Sequence, residues 1–446
     1  MTTEMIKTLV RKLIPAPVLG AYHHALAVVA ALAYGRPSEK LVVIGVTGTN
    51  GKSTTTEFVG RILESAGYRV GWTGTTSFKV AECEWTNAKK MTMLGRFETQ
   101  RLLAEMVKAG CEYAVVETSS QGIAQSRHVG IDYDVAVFTN LTPEHIESHG
   151  GFENYKWAKG RLFAALATGK RKDGQKKVSV VNVDDAHADY FLSFSADEKI
   201  GFGSADSRAD VSVVATNVAL SSTGTTFSVG QTAFSLSPIG RFNLSNALAA
   251  ISACRAVGLS WEKIQAGVAS LRPVPGRLES IAEGQPFSVI VDYAPEPASL
   301  NALYDALQLI GHKRLIHVLG STGGGRDVAR RRILGEMAAE HADAVIVTNE
   351  DPYDDDPMGI IREVGKGAER FEGSKVRRVE GENLFLVLDR QEAIDTAIGL
   401  AEPGDLVLLT GKGCEPVMAV AGGRKIPWDD RDAARKSLAK LGYATH

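Results

Sequence analysis

Cysteine is scarce in this chain: 4 residues in 446, Cys83, Cys111, Cys254 and Cys414, with no Cys-x-x-Cys pair among them. That spacing excludes a disulfide framework and a zinc ribbon, and it points to a reducing, cytoplasmic setting. An excess of one charge is lacking too. Lys plus Arg number 50 against 52 Asp plus Glu, a net charge of −2 that gives no footprint for nucleic acid as a partner. A long apolar run is also missing. The nearest is "VLGAYHHALAVVAALAYG", Val18 to Gly35, which follows Lys7, Arg11 and Lys12 and carries His23 and His24 near its start. It is marginal for a spanning helix, and no small-residue cleavage site leads into a secreted, cysteine-bearing domain. A helix packed on the body of the protein, or one lying on the inner membrane surface, is therefore expected within residues 1–39.

What is present is the composition of a globular protein with substantial cores: 44% hydrophobic and 23% charged residues over a length that suits two or three domains. After Ser38, β-rich apolar runs alternate with helical patterns. "KLVVIGVTG", "EYAVVETSS", "YDVAVFTNL" and "KKVSVVNVDD" read as buried strands, and "STTTEFVGRILESAG" as a helix with Phe58, Val59, Ile62 and Leu63 on one face. Strands separated by helices predict an α/β fold with a mostly parallel sheet, which binds ligands at the strands' C-terminal ends. From about residue 207 a Thr- and Ser-rich stretch reads as a small inserted antiparallel patch. A boundary falls near "LRPVPGRLE", where two prolines and a glycine interrupt the pattern, and strand–helix alternation then resumes. The expected division is a helical segment 1–39, a central domain 40–271 and a Rossmann-like C-terminal domain 272–446.

The central chemical signal is "GVTGTNGKSTTTEF", Gly45 to Phe58, directly after a strand. Glycines between strand and helix expose backbone N–H groups to phosphate oxygens; Lys52 adds a charge and Ser53 a hydroxyl for Mg²⁺. Gly48, Thr49, Asn50, Gly51 and Thr54 complete the expected phosphate loop, although its spacing departs from GxxxxGK[ST]. Glu117 ends one strand and His145 follows another, so both can reach the same rim and suit a divalent ion. Lys159, on a predicted helix, reads from the residues alone as a solvated charge.

The shifted loop resembles that of the Mur ligase family, ATP-dependent amino-acid ligases of peptidoglycan synthesis and their folylpolyglutamate synthase relatives. "ETSSQGIAQSRHVGIDYDVAVFTNLTPEHIESHG", "YKWAKGRLF", "GRFNLSNALAA", "PVPGRLE", "VDYAPEP", "GGGRDVARRR" and "GKGCE" continue the likeness in order, closest to the MurE-type tripeptide synthetases. The resemblance implies ATP and Mg²⁺ as cofactors, and an amino acid joined to a muramoyl-peptide-type carboxylate through an acyl phosphate. It also implies a carbamylated Lys159 beside Glu117 and His145 at the metal. Asn246 would contact adenine, Arg277, Asp292 and Arg326 would complete the nucleotide site, and Tyr293 would close it. Ser119, Gln125 and Arg127 would hold the acceptor; Asp351, Tyr353, Gly411 and Glu415 would hold the amino acid.

Three departures stand against a full transfer. About forty residues precede the first strand, too few for the UDP-binding domain of MurE-type enzymes. Pro295 and Cys414 replace histidines of the family's "YAHTP" and "GKGHE". "EDPY", Glu350 to Tyr353, stands where relatives that add meso-diaminopimelate have "DNPR", and Asp354, Asp355 and Asp356 follow it. Without that arginine fork, and with an acidic rim, a diamino acid carrying a free ammonium, such as L-lysine, is the expected substrate. The alternative is that Arg330 or Arg331 takes over the fork. Rival functions are a polyglutamate-type synthetase and a non-catalytic ATP-binding module; intact Lys52, Ser53, Glu117, His145 and Lys159 argue against the second.

Overall fold

The structure is a computed structural model in which residues 16–144, 146–204, 209–325, 328–373 and 375–443 are described. Its first sheet contains β1 (Val42–Thr47), β2 (Val70–Thr73), β3 (Ser77–Val80), β4 (Cys83–Thr86), β5 (Tyr113–Glu117) and β6 (Val135–Phe138). It continues with β7 (Val178–Asn182), β8 (Glu198–Gly203), β9 (Val211–Ser221), β10 (Gly224–Val229) and β11 (Thr232–Leu236). The strand order is β11-β10-β9-β8-β7-β6-β1-β5-β2-β3-β4. The middle is parallel, from β2 through β5, β1, β6, β7 and β8 to β9, and antiparallel hairpins extend both edges.

Burial explains why the central strands read as unbroken apolar runs. Helices cover both faces of a parallel sheet, so neither face of β1, β5 or β6 meets water. The helix Lys52–Ser65 buries Phe58, Val59, Ile62 and Leu63 against this sheet, each contributing roughly 1.5–3 kcal/mol. Gly60 lets the fully buried Trp72 lie on that helix, since a Cβ there would stand 2.6 Å from the ring's Cε3. The stretch read as an inserted antiparallel patch is instead a continuation of the main sheet: β9 pairs in parallel with β8 before β9–β11 turn antiparallel. Alternation alone carries no record of which neighbour the first strand of such a group joins.

A second sheet holds β12 (Glu279–Ser280), β13 (Ser288–Val291), β14 (Leu315–Leu319), β15 (Ala344–Thr348), β16 (Leu384–Val387) and β17 (Leu406–Leu409). Its order is β12-β13-β17-β14-β15-β16, parallel throughout except for β12. A hairpin of β18 (Val417–Val420) and β19 (Arg424–Pro427) follows. Separate apolar clusters support the two sheets.

Before β1, the helix Ala16–Ala33 packs against the helix Arg96–Lys108 through its smallest residues. Ala27, Ala30 and Ala31 are buried, and a Cβ on Gly130 would come 2.7 Å from the Ala31 methyl. Val18, Tyr22, Val29 and Leu32 stay exposed. Among the described residues, no helix is long and apolar enough to cross a membrane.

Candidate active site

The C-terminal ends of both sheets open onto one cavity of about 590 Å³. From the first sheet it receives the loop after β1, Glu117 at the end of β5 and the segment after β6; from the second, residues following β13, β14, β15 and β17. Ligand sites collect at this edge of parallel sheets because every strand ends there and the loops are free to vary.

The loop after β1 is shaped by its neighbour β6. Thr49 N donates to Asn140 O (2.8 Å) and Asn50 N to Asn140 Oδ1 (2.8 Å), while Thr139 Oγ1 donates to Asn50 O (2.7 Å). Gly51, at φ 79, turns the chain into the helix Lys52–Ser65, whose N-terminus has no side-chain cap. The first helical amides therefore remain for a bound anion. Lys52 Nζ donates to Thr49 O (2.6 Å). Thr49, Asn50, Gly51, Lys52, Ser53 and Thr54 all line the cavity. Gly48 lies behind them, its carbonyl accepting from Lys159 Nζ (2.6 Å).

Glu117 is 1% exposed and fully engaged: Oε1 accepts from Ser53 Oγ (3.1 Å) and Thr75 Oγ1 (3.0 Å), and Oε2 from Thr75 N (2.6 Å). A hydroxyl and a carboxylate beside a phosphate loop are hard oxygen donors of the kind Mg²⁺ takes, with phosphate oxygens able to fill further positions. Among the described residues, no three His, Cys, Asp or Glu side chains gather as a metal cluster. His145 and Arg326 lie outside the described residues.

Lys159 overturns its plain reading as a solvated charge. It is 1% exposed, lies 4.3 Å from the centre of the Tyr155 ring and has no carboxylate at ion-pair distance among the described residues. Burial, and then the Lys52 charge, push its pKa well below the ordinary lysine value. Tyr155, which the sequence reading missed, ties this wall together: its hydroxyl pairs with Thr49 Oγ1 (3.0 Å) and reaches Glu144 Oε2 (3.4 Å). The strand-end rule could have found Asn140 and Glu144, but nothing in local spacing singles out a tyrosine one helical turn before Lys159.

Ser119, Gln125 and Arg127, the residues expected to hold the acceptor, line the cavity. Ser119 caps the short helix Ser120–Ala124 by accepting from Gly122 N (3.2 Å), and Arg127 Nη2 donates to Gln125 Oε1 (2.7 Å). From the second sheet, Arg277 stacks on the Tyr293 ring at 4.5 Å, and Pro295 lies nearby on the wall. Four expected residues, Gly48, Asn246, Asp292 and Gly411, do not line the cavity. Asp292 turns into the junction: Oδ2 accepts from Leu278 N (2.6 Å) and Oδ1 from Ala294 N (2.8 Å). Asn246 sits behind the loop against Gly51. Cys414 is also buried, packed on Gly276, and burial pushes its thiol pKa up to about 11.

Of the acidic stretch after β15, Glu350 and Asp351 line the cavity but Asp354, Asp355 and Asp356 do not, which corrects the picture of a continuous acidic rim. Asp355 accepts from Arg331 (3.2 Å), Asp354 from Gly422 N (2.8 Å), and Asp356 caps the helix Pro357–Arg370. Arg331 is spent on Asp355 and Glu363, whereas Arg330 lines the cavity and pairs with Glu296. Tyr353, at φ 51, and Glu415 line the cavity with Glu350 and Asp351. Gly411 does not, but its missing side chain makes room for Glu350: a Cβ there would stand 2.5 Å from Oε2.

Comparison with known proteins agrees with this architecture. The Mur ligase middle domain matches residues 46–254, and the Mur ligase glutamate ligase domain matches residues 276–413. A UDP-N-acetylmuramoyl-L-alanyl-D-glutamate–2,6-diaminopimelate ligase of Geobacillus kaustophilus (strain HTA426) is 39% identical over 96% of this chain and 85% of its own length. A UDP-N-acetylmuramyl-tripeptide synthetase of Roseiflexus sp. (strain RS-1) is 40% identical over 94% and 82%. Among solved structures, a 2,6-diaminopimelate ligase of the same type is 28% identical with a TM-score of 0.59, covering 91% of this chain and 79% of that one. The folylpolyglutamate synthase of Mycobacterium tuberculosis, at 20% identity, shares the fold with a TM-score of 0.67 over 86% and 91%. With both domain models in order and relatives near 40% identity along almost the whole chain, the protein belongs to the Mur ligase family.

Proposed function

We propose that the chain is an ATP-dependent ligase that joins an amino acid to a muramoyl-peptide-type carboxylate in peptidoglycan precursor synthesis. The observation that carries this reading is the single cavity shared by the phosphate loop on one sheet and the Asp351–Glu415 pair on the other. In this reading residues 40–271 bind ATP and residues 272–446 deliver the amino acid.

Lys52 and the uncapped helix N-terminus take up negative charge on the transferring phosphoryl group. Ser119, Gln125 and Arg127 hold the acceptor so that a carboxylate oxygen attacks the γ-phosphorus while the bond to the ADP oxygen breaks. The amino acid's deprotonated amine then attacks the acyl carbon, and phosphate leaves with its electron pair. Ser53 and Glu117 are the residues present that suit Mg²⁺, which would screen phosphate charge. Lys159 would join them as a carbamate: its depressed pKa favours the neutral amine, the form that adds CO₂ and releases one proton. Closing the cavity between the two sheets excludes water from the acyl phosphate.

Residues 1–39 we assign to the membrane surface. Val18, Tyr22, Val29 and Leu32 form the outer face of the helix Ala16–Ala33, Lys7, Arg11 and Lys12 precede it, and no acidic residue lies between Met5 and Ser38. That pairing of apolar face and positive charge suits an anionic bilayer.

The test of the ligase reading is phosphate release with ATP, a muramoyl-dipeptide acceptor and candidate amino acids. Acceptor-dependent turnover is expected, and Lys52→Ala should lower it by on the order of 10²-fold or more. No acceptor-dependent turnover by the unaltered protein, or near-normal product formation by Lys52→Ala, would reject it.

A further inference from the structure

Lys90 belongs to the segment between β4 and the helix Arg96–Lys108, yet its ammonium is spent on the other sheet. It pairs with Asp351 and, at 3.0 Å, with Glu415 Oε2, and its side chain is only 9% exposed. Lys412 holds the same two carboxylates from the opposite side, at 3.1 Å to Asp351 Oδ1 and 2.7 Å to Glu415 Oε2. Two cations and two anions form a balanced square on the cavity wall.

The two lysines are not equivalent. Lys412 is fully buried and also donates to Val417 O (2.8 Å), so it is anchored within its own half of the molecule. Lys90 has the two carboxylates as its ion-pair partners, both across the cavity, and its backbone sits at φ 53, in the left-handed region that costs a non-glycine residue energy. A second link from the same segment, Lys425 Nζ donating to Lys89 O (3.1 Å), also crosses between the halves. The segment's other end is tied to its own sheet: Asn87 Nδ2 donates to Gly74 O (2.9 Å) and to Met91 O (3.0 Å).

We propose that Lys90 is a latch that occupies the seat of the incoming amino acid's cationic end group. Its ammonium holds the halves together while the seat is empty, and a substrate ammonium replaces it on Asp351 and Glu415. This rests on the amino acid entering beside Asp351 and Glu415, as in the ligase reading. The physical ground is charge balance. A third ammonium in the square would leave one uncompensated buried charge, which is strongly unfavourable, so the substrate cation and Lys90 exclude each other. Lys412 cannot yield without leaving its own burial unpaid for. A side chain without an ammonium gains nothing at the seat and cannot release the latch, so the device selects diamino acids over their uncharged analogues.

The experiment uses the full-length protein with Lys90→Met, which keeps the chain length and removes the charge, and with Lys90→Arg, which keeps the charge. Calorimetric titration with L-lysine should give at least a threefold lower Kd for Lys90→Met than for the unaltered protein, because the competitor is gone. L-norleucine should show no such gain. Small-angle scattering without amino acid should give a larger radius of gyration for Lys90→Met, with Lys90→Arg unchanged. Weaker L-lysine binding by Lys90→Met would make Lys90 a substrate contact and overturn the latch, as would an equal gain for norleucine or an unchanged radius of gyration. Neither readout needs turnover, so a protein that binds as expected but forms no product would reject the ligase reading and leave the latch standing.

Discussion

Gly51→Ala is the substitution whose consequence the geometry fixes most closely. Gly51 stands at φ 79 and ψ −6, where an alanine costs about 1–2 kcal/mol because its Cβ crowds the following carbonyl. The new methyl would also overlap Asn246 Oδ1 and come 3.2 Å from Asn246 Cγ. Asn246 is 6% exposed on a well-packed helix, so it cannot swing into solvent, and forced displacement of this kind costs about 1–3 kcal/mol. Together these predict a loss of about 2–5 kcal/mol, or roughly 4–20 °C in Tm for a unit of this size. Thermal unfolding by circular dichroism measures it. The double variant Gly51→Ala/Asn246→Ala separates the two contributions: removing the overlapped amide should restore the steric part and leave only the backbone part. The ATP Kd of the double variant should remain weakened, because the backbone strain at Gly51 stays in the loop after β1. A single variant that melts within a degree of the unaltered protein, or a double variant no more stable than the single, would refute the reasoning.

Lys159→Ala should lose turnover that short carboxylic acids partly restore, and intact-mass measurement in bicarbonate should find one added CO₂ on the unaltered protein; an unmodified, fully active enzyme in CO₂-free buffer would contradict the carbamate. Glu350 has its pKa raised from 4.5 to about 7, by burial first and by Asp351 among its neighbours. A carboxyl raised on folding binds its proton more tightly when folded, so its contribution is retained below about pH 4.5 and lost as pH rises towards 7. Glu350→Gln should therefore flatten the stability–pH curve across that window, by on the order of 3 kcal/mol, and parallel curves would count against it. Full-length protein should float with anionic liposomes, and Val18→Asp/Leu32→Asp should abolish flotation while sparing phosphate release; flotation that survives both changes would leave the helix a packed structural element.

Sequence alone determined the parts whose cause is local. A glycine-rich turn between an apolar strand and an amphipathic helix has few conformations, so "GTNGKS" could be read as a phosphate loop without its surroundings. Strand ends could be read as one rim because parallel strands all terminate on the same edge, which placed Ser53 and Glu117 together; they lie 3.1 Å apart. What only the tertiary structure decided depends on partners distant in sequence. Lys159 is a surface-type residue by every local rule, and it is buried because the helix Phe152–Thr168 turns that face onto the loop, where Gly48 O accepts its hydrogen bond. The acids around Asp354 read as a bare negative rim because their partners, Arg331 and Gly422 N, lie 24 and 68 residues away. Lys90 and Asp351 are separated by 261 residues, and only the closing of one sheet's rim against the other brings that ammonium to that carboxylate.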